Sequence, residues 1–498
     1  MERRKGEFTE RMNATEQTLD QFRWEHDSLG EIEVPKNALY GAQTQRAMTN
    51  FQITGRRMHT QMIRSIGKVK KASAYCNNQC GFLDDERLKY ITEACDEVIS
   101  GQLDEWFITD CIQGGAGTSF NMNANEVIAN RAAQLAGHTI GVYDYIHPND
   151  HINFGQSTND VFPTAGRLTA LALVEVLLNE LSELQHSLLK KAKEFDGVIK
   201  MGRTHLQDAV PIRLGQEFHA YATMVGRDIK RIRVAFNDLK AVNMGATAVG
   251  TGMNADEKYK KLIVPVLSEI SGITLTAAKD LVDGTRNCDT LAFASGALKV
   301  LAVNLSKMCN DLRLMASGPK AGLAEIKLPD RQPGSSIMPG KVNPVIAEVC
   351  NQACFNVIGN DVTIAKAAEA GQLELNVFEP VLFKNLFESI EILSNACHTL
   401  RINAIDGIKA NKENCLFFVE RSVSPITAFA PHIGYANASR IAKQALIENR
   451  TLREVLLESG LITEHDLEII MDVQEMTKPG IPGKKRLAKN KKKEKVEG

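Results

Sequence analysis

Residues 334–344 read GSSIMPGKVNP, and this stretch departs sharply from the helical composition on both sides of it. Its glycines and prolines break helices, whereas the flanking segments NDLRLMASGP and VIAEVCNQACF are typical of them. A simple connector does not need hydroxyls, a lysine and an asparagine so close together. Such a set could remove a proton from a substrate, bind a carboxylate and stabilise the charge that develops on it. The stretch therefore predicts an active-site loop between two helices, with glycines that would allow it to close over a ligand.

The sequence before this loop predicts long amphipathic helices. From Pro163 onward, apolar residues recur at three- and four-residue spacing, namely Leu171, Val174, Leu178, Leu181 and Leu188. A second stripe begins at Pro211, a residue type favoured at the first helical position, and comprises Phe218, Tyr221, Val225, Ile232, Phe236 and Leu239. Stripes of this length favour a helical bundle that is shared between subunits.

Composition agrees with a soluble, largely helical protein. The chain has 498 residues, of which 44% are hydrophobic and only 6% aromatic. Its formal net charge of −1 argues against a nucleic-acid-binding protein, which would carry a basic excess. We find no signal sequence and no uncharged apolar run long enough to span a bilayer, so the sequence predicts a cytoplasmic protein that does not bind membranes. Ten scattered cysteines without a CxxC pair are typical of buried, reduced thiols, and they predict no metal site.

Three further polar clusters could contribute to a site. QGGAGTS (113–119) surrounds Thr118 with glycines, and QSTND (156–160) offers hydroxyl and amide groups just before a long helix. MGRTHLQD (201–208) places Thr204 and His205 between two helices. A helix cap or a turn would explain any one of these clusters alone. The glycines match neither GxGxxG nor GxxxxGK[ST], which argues against a nucleotide site.

Taken together, these motifs resemble the fumarase/aspartase superfamily. GSSIMPGKVNP is similar to its signature loop, and the resemblance extends from about Arg23 to about Lys484 through GRTHLQDA, GATAVGTGMN, NDLRLMASGP and ELNVFEP. Within the superfamily, GGAGTS, NMNANEV, KMGRTHLQDAVP and EAGQLELNVFEP look like the aspartate ammonia-lyase branch. One segment, HPND (147–150), looks more like a hydratase, and Phe154-Gly155 before Gln156 fits neither branch.

The resemblance implies an all-α, mainly helical subunit with three domains. These are an N-terminal domain (1–157), a central long-helix bundle with the 334–344 loop (158–410) and a small C-terminal helical domain (411–484), followed by a basic disordered tail (485–498). It also implies a homotetramer whose composite active sites each draw on three subunits. Distant clusters could then serve one pocket.

The resemblance assigns roles to individual residues by motif. Ser335 would be the general base, while Lys341 and Asn343 would hold the β-carboxylate of the substrate. The remaining predicted substrate-binding residues are Thr118, Ser157, Thr158, Asn159, Thr204, His205 and Ser336, and His205 is also predicted to be catalytic together with Ser335 and Lys341. Glu348 matches the position that pairs with the histidine in hydratases. No metal or other cofactor is implied.

The implied reaction is the reversible elimination of ammonia from L-aspartate to give fumarate. A serine alkoxide would remove the β-proton, and donors aimed at the β-carboxylate would stabilise the resulting aci-carboxylate. A class II fumarate hydratase acting on L-malate is the nearest alternative. A non-catalytic helical scaffold is a third reading, although a scaffold would not require Ser335, Lys341, Asn343 and His205.

Overall fold

The structure is a computed structural model that describes residues 21–497, with side chains described as far as residue 490. The first twenty residues of the predicted N-terminal domain therefore lie outside the described residues. The rest of the described chain is predominantly helical, which confirms the expected fold class.

Five long helices dominate the chain: α5 (Thr158–Glu194), α6 (Leu214–Asn237), α9 (Asp289–Met315), α10 (Val345–Glu369) and α11 (Glu379–Asn403). The two predicted apolar stripes lie on the first two of them, except that Leu239 falls in the 3₁₀ helix Asp238–Lys240 directly after α6. Every member of the stripes is buried. Helix α6 starts at Leu214 and not at Pro211, because Pro211 pairs with Met201 in a β-hairpin that precedes the helix.

Shorter helices precede, separate and follow these along the chain. Before the long helices come α1 (Ala42–Asn50), α2 (Thr60–Gln79), α3 (Asp85–Ser100) and α4 (Thr118–Leu135). Between them lie α7 (Glu257–Ser271) and α8 (Leu281–Arg286). After them come α12 (Lys412–Arg421), α13 (Ala430–Ile433), α14 (Tyr435–Glu448), α15 (Leu452–Glu458), α16 (Glu464–Ile470), α17 (Val473–Met476) and α18 (Lys484–Glu497).

The strands form four two-stranded pairs within residues 21–497. Two are hairpins, β1 (Phe22–Asp27) with β2 (Gly30–Pro35) and β3 (Ile199–Thr204) with β4 (Gln207–Arg213). The other two join distant segments, β5 (Ala241–Val242) with β6 (Thr276–Ala277) and β7 (Ile326–Lys327) with β8 (Lys409–Ala410). None of these pairs is large enough to form a core of its own.

The chain divides into two compact units. The first comprises Met1–Leu178, Lys230–Ala302 and Phe355–Ser394, and the second comprises Asn179–Ile229, Val303–Cys354 and Asn395–Gly498. The boundaries between these units fall inside each of the five long helices, whereas the domain boundaries predicted from the sequence lie at loops. The three-domain division stays a prediction.

The first unit is organised around α4, a helix whose buried face is rich in amides. Asn123 accepts from Ile108 N and donates to Trp106 O, and Asn130 donates to Leu39 O. Glu126 accepts hydrogen bonds from the backbone amides of Gly41, Gln43 and Thr44. Buried polar side chains of this helix thus satisfy loop backbone that would otherwise lack partners.

The second unit contains a separate C-terminal core, formed by residues that include Phe429, Ile441, Leu456 and Ile470. Leu487 of α18 packs against this core. The structure here differs from the expected disordered tail (485–498), because it places Lys484–Glu497 in a helix. Lysine and alanine are good helix formers, and Leu487 gives the start of the helix an apolar contact.

Two helices, α5 and α9, are long and apolar enough to cross a membrane by length and composition alone. In their most apolar windows, 78% and 56% of the residues are buried inside the protein, as is also seen in core helices of soluble proteins. All ten cysteines are free, and all except the half-buried Cys80 are buried, as expected for buried thiols.

Candidate active site

The glycine-rich cluster forms a strained turn directly before the first residue of helix α4. Gly115, Ala116 and Gly117 all have positive φ, and a Cβ on Gly117 would lie 2.4 Å from the Phe162 ring. Only glycine fits at that position. Thr118 is the first residue of the helix and is exposed, and its hydroxyl donates to Gly115 O at 2.7 Å. Because its hydrogen is used, the oxygen of Thr118 is left as an acceptor.

The QSTND cluster forms the beginning of helix α5. Ser157 Oγ accepts from Asn159 N at 3.2 Å, and Asp160 Oδ1 accepts from Ser157 N at 3.0 Å, so the two side chains cap the helix reciprocally. Asp160 is completely buried, and its second oxygen accepts from Gly245 N and Thr247 N at 3.2 and 3.0 Å. The carboxylate therefore joins the start of α5 to the GATAVGTGMN loop.

Two amide contacts orient Asn159. Its Nδ2 donates to Ala248 O at 2.7 Å, and its backbone oxygen accepts from Asn243 Nδ2 at 3.0 Å. A carbonyl can only accept, so the amide nitrogen of Asn159 must face Ala248 and its Oδ1 must face away. Asn159 thus offers an acceptor, as Thr118 does.

The Thr118 and QSTND clusters lie together in the first unit. Asn121, one turn into α4, donates to Thr158 Oγ1 at 3.2 Å and to Asn153 Oδ1 at 3.2 Å. The glycine turn also packs on Phe162 of α5. Thr118, Ser157, Thr158 and Asn159 are therefore carried by the ends of two helices in direct contact. We refer to Ser157–Asp160 as the α5 cap segment.

The GRTHLQDA cluster lies in the second unit, at the turn of the β3–β4 hairpin. His205 and Leu206 both have positive φ, 54° and 60°, as a two-residue hairpin turn requires. Neither is glycine, so the backbone is strained at the predicted catalytic histidine. Thr204 and His205 are exposed.

A buried ionic cluster holds this hairpin in place. Glu325 is completely buried, and its Oε1 and Oε2 lie 2.7 Å from Arg203 Nη1 and 3.0 Å from Lys200 Nζ. Lys200 also pairs with Glu217 at 2.9 Å. Burial lowers the pKa of Lys200, but the carboxylates of Glu217 and Glu325 outweigh it and leave the pKa raised. These residues line a cavity of about 270 Å³.

The GSSIMPGKVNP stretch is a loop, as predicted, but it follows the short strand β7 and precedes α10, so it does not connect two helices directly. Gly334 N donates to Lys341 O at 2.7 Å, and Asn343 Nδ2 donates to Gly334 O at 2.8 Å, so the loop is closed at its base. A Cβ on Gly334 would lie 2.6 Å from Lys341 O, which explains the glycine. The tip is open to solvent, and Ile337 is 83% exposed. Ser336 and Lys341 are exposed as well.

Two backbone amides converge on the side chain of Ser335. Ile337 N and Met338 N donate to its Oγ at 3.2 and 3.0 Å. Donors arranged in this way stabilise negative charge on the oxygen they face. This local arrangement is the one that a serine alkoxide needs.

Some of the predicted site residues share no hydrogen bond or ion pair within the described residues. Among the hydrogen bonds and ion pairs of residues 21–490, none joins Glu348 to His205, and none joins the His205 turn to the 334–344 loop. Within the same residues, no group of three or more His, Cys, Asp and Glu side chains is placed to hold a metal ion.

Sequence reasoning missed Lys70, Asn121 and Asn153, which support the α5 cap segment. The position of Lys70 in the sequence could have predicted that it is buried. It lies at helical spacing with Met62, Ile66, Ser73 and Asn77, on a face of α2 that is otherwise apolar or small. A lysine on such a face has to find a buried partner.

Comparison with known proteins shows the family of the chain. The family model described as "Lyase" matches residues 30–359, and the "Fumarase C C-terminus" model matches residues 426–478. The chain is 55% identical to an aspartate ammonia-lyase from Bacillus sp, over 93% of this chain and 99% of that protein.

Two solved structures are also similar. One is a cobalt-bound fumarate lyase:delta crystallin from Brucella melitensis (TM-score 0.90, 47% identity, 92% of this chain and 100% of that chain). The other is a class II fumarase from Schistosoma mansoni (TM-score 0.89, 35% identity, 92% of this chain and 99% of that chain). The chain therefore belongs to the lyase family of the fumarase/aspartase superfamily.

Proposed function

We propose that the protein is an aspartate ammonia-lyase, which converts L-aspartate reversibly into fumarate and ammonia. The observation that carries the chemistry is the pair of backbone amides directed at Ser335 Oγ. Similarity to aspartate ammonia-lyases along nearly the whole chain supports the choice of substrate.

In the proposed mechanism, Ser335 removes the β-proton as an alkoxide. Its own loop supplies the two N–H donors that lower the cost of forming that charge. Lys341, Asn343 and Ser336, on the same loop, would face the β-carboxylate as it takes up charge in the aci form. Asn343 Nδ2 carries a second hydrogen, so its bond to Gly334 O need not break for this.

The α5 cap segment and its neighbours fit a cationic leaving group. An ammonium group only donates hydrogen bonds, and it therefore needs acceptors around it. The oxygen of Thr118 can accept because its hydrogen is donated to Gly115 O, and Oδ1 of Asn159 can accept because it faces away from Ala248 O. Ser157, Thr158, Thr204 and His205 would complete the set. Ammonia leaves without a strong general acid, whereas water would need one.

We further propose a homotetramer with composite sites. All five long helices carry exposed large apolar residues, among them Val176, Val234, Phe293, Val303, Phe355, Val362 and Ile402. Exposed apolar residues on core helices support burial against other subunits. Ser335→Ala and His205→Ala, each inactive alone, should then give partial activity when co-assembled. Tetramers that stay inactive after mixing would contradict shared sites.

We also propose a cytoplasmic location, without a membrane or nucleic-acid partner. Ten free cysteines are typical of a reducing compartment. The near-neutral net charge gives no excess of positive charge that would attract nucleic acid.

The test is to incubate purified protein separately with L-aspartate and L-malate and to follow fumarate by its ultraviolet absorbance. We expect fumarate from L-aspartate and little or none from L-malate, and at least about a hundredfold slower fumarate formation with the Ser335→Ala variant. Fumarate from L-malate alone would support the hydratase instead. No turnover of either substrate would favour a scaffold.

The hydratase is the second candidate because of one segment and one structural relative. His147-Pro148-Asn149-Asp150 looks hydratase-like, and the chain is similar to a class II fumarase. In the structure, however, His147 caps the π-helix Pro148–Ile152, and its Nδ1 accepts from Asn149 N and Asp150 N. This local capping role explains the segment without reference to the substrate.

A further inference from the structure

Lys70 is a buried lysine that the proposed mechanism does not use. It lies in α2 with 1% of its surface exposed. Its Nζ donates to Asn153 Oδ1 at 2.8 Å and to Gln156 Oε1 at 3.0 Å. Fully buried lysines are rare and normally pair with a carboxylate. This one instead donates to two amide oxygens.

Both acceptors belong to the loop that leads directly into Ser157. An ammonium group can only donate, so it forces both amide oxygens towards itself and their nitrogens away. Gln156 Nε2 then donates to Ile152 O at 2.9 Å, and Asn153 Nδ2 donates to Gln156 O at 3.3 Å. One charged group thus fixes two side chains, and through them the loop backbone.

The same network reaches the α5 cap segment through Asn121. Its Nδ2 lies 3.2 Å from Asn153 Oδ1 and 3.2 Å from Thr158 Oγ1. Beyond Thr158, Asp160 secures the other side of the segment through backbone amides of residues 245 and 247. Ser157, Thr158 and Asn159 are therefore held between a buried cation and a buried carboxylate.

The charges of Lys70 and Asp160 change near neutral pH. Burial lowers the pKa of Lys70 to about 7, against the opposing effect of Asp160, and burial raises the pKa of Asp160 to about 6. Two other titratable groups face the pair. Burial raises the pKa of Cys95 to about 12 and that of Tyr259 well above its usual value, so both stay uncharged.

We propose that Lys70 is a positioning residue, which fixes the Ser157–Asn159 segment through Asn153 and Gln156 so that it can bind the leaving group of the substrate. This proposal rests on the proposed function. Lys70 acts through other residues and does not itself touch the substrate.

The test compares Lys70→Met with Lys71→Met in the assembled protein. Lys71 is the next residue on the same helix, and its Nζ pairs with Asp96 at 2.6 Å, away from this network. Loosening the segment weakens ground-state and transition-state binding alike, so we expect KM for L-aspartate to rise about tenfold in Lys70→Met while kcat changes about threefold or less. Lys71→Met should keep the wild-type KM.

A purely structural role would give a different result. It would lower the melting temperature or the active fraction, and therefore kcat, while KM stayed unchanged. That outcome would overturn the proposal. The pH profile adds a second readout: we expect KM of the wild type to increase as pH rises through about 7, and this increase to be lost in Lys70→Met but kept in Lys71→Met.

Two further measurements keep the proposal testable. If Lys70→Met does not fold, Gln156→Met removes one acceptor and should still raise KM; an unchanged KM would overturn the proposal. Failure of the proposed function is recognised separately, because wild-type protein would then not convert L-aspartate. If it converts L-malate instead, the same KM comparison is made with L-malate.

Discussion

The α5 cap segment (157–160) and the 334–344 loop are both predicted to bind substrate, yet they are built in opposite ways. In the cap segment, Thr158 is 9% exposed and Asp160 is completely buried. In the loop, Ile337 is 83% exposed and the internal bonds lie at its base and around Ser335. Hydrogen bonds to buried side chains fix the cap segment, whereas these loop hydrogen bonds join residues of the loop itself and its tip is exposed. The first suits recognition of a leaving group, and the second suits closure over a substrate.

The largest expected effect concerns the loop. Ser335→Ala should lower kcat by about 10²–10⁴-fold, since it removes the proposed base. The melting temperature should stay within a degree or two, because Ser335 is only partly buried and its bonds are local. Activity assays and thermal unfolding on the same preparation check this. Turnover within tenfold of wild type would refute the assignment of Ser335 as base.

The corresponding change in the cap segment should affect stability. Asp160→Ala leaves the amides of Ser157, Gly245 and Thr247 without their acceptor, and it should lower the free energy of unfolding by about 3 kcal/mol. Denaturant titration measures this. Asp150→Ala is the control, because the Asp150 side chain is 78% exposed, and it should have little effect. Equal stability of the two variants would contradict the comparison.

A smaller effect is expected at the base of the loop. In Gly334→Ala the new Cβ would meet Lys341 O at 2.6 Å, so the loop would have to open. We expect kcat to fall about tenfold while stability changes by about 1 kcal/mol or less. Gly197→Ala, where nothing lies within 4 Å of the Cβ, should leave kcat unchanged.

The last expected effect is a pH dependence of the free energy of unfolding, which comes from Lys70 beside the cap segment. The pKa of Lys70 is lowered to about 7 by burial, so between about pH 7 and pH 10 the unfolded chain binds a proton that the folded chain does not. Stability from this group therefore increases as pH rises through that window. The wild type should gain up to about 1 kcal/mol per pH unit over Lys70→Met between pH 7 and 9. A constant difference in unfolding free energy between the two would show that Lys70 does not titrate there.

The sequence by itself determined the parts of this protein that depend on local pattern. The apolar stripes 171–188 and 218–239 specify buried helices, because residues three and four apart share one face of a helix. The glycines and prolines of 334–344 specify a loop, since they cannot continue a helix. The resemblance of the motifs identified the superfamily, which the family models confirm.

Only the tertiary structure decided which distant groups meet. Pro211 can start a helix or end a strand, and its pairing with Met201 in the hairpin decided for the strand. The composition of the basic tail predicts a solvated segment, but Leu487 packs against the C-terminal core. Lys70 lies 83 positions from its partner Asn153, and Asp160 lies 87 positions from its partner Thr247. A buried charge can be satisfied only by groups that the fold brings within hydrogen-bond distance. That dependence on distant partners is why periodicity predicted the helices of this chain and could not predict what supports its α5 cap segment.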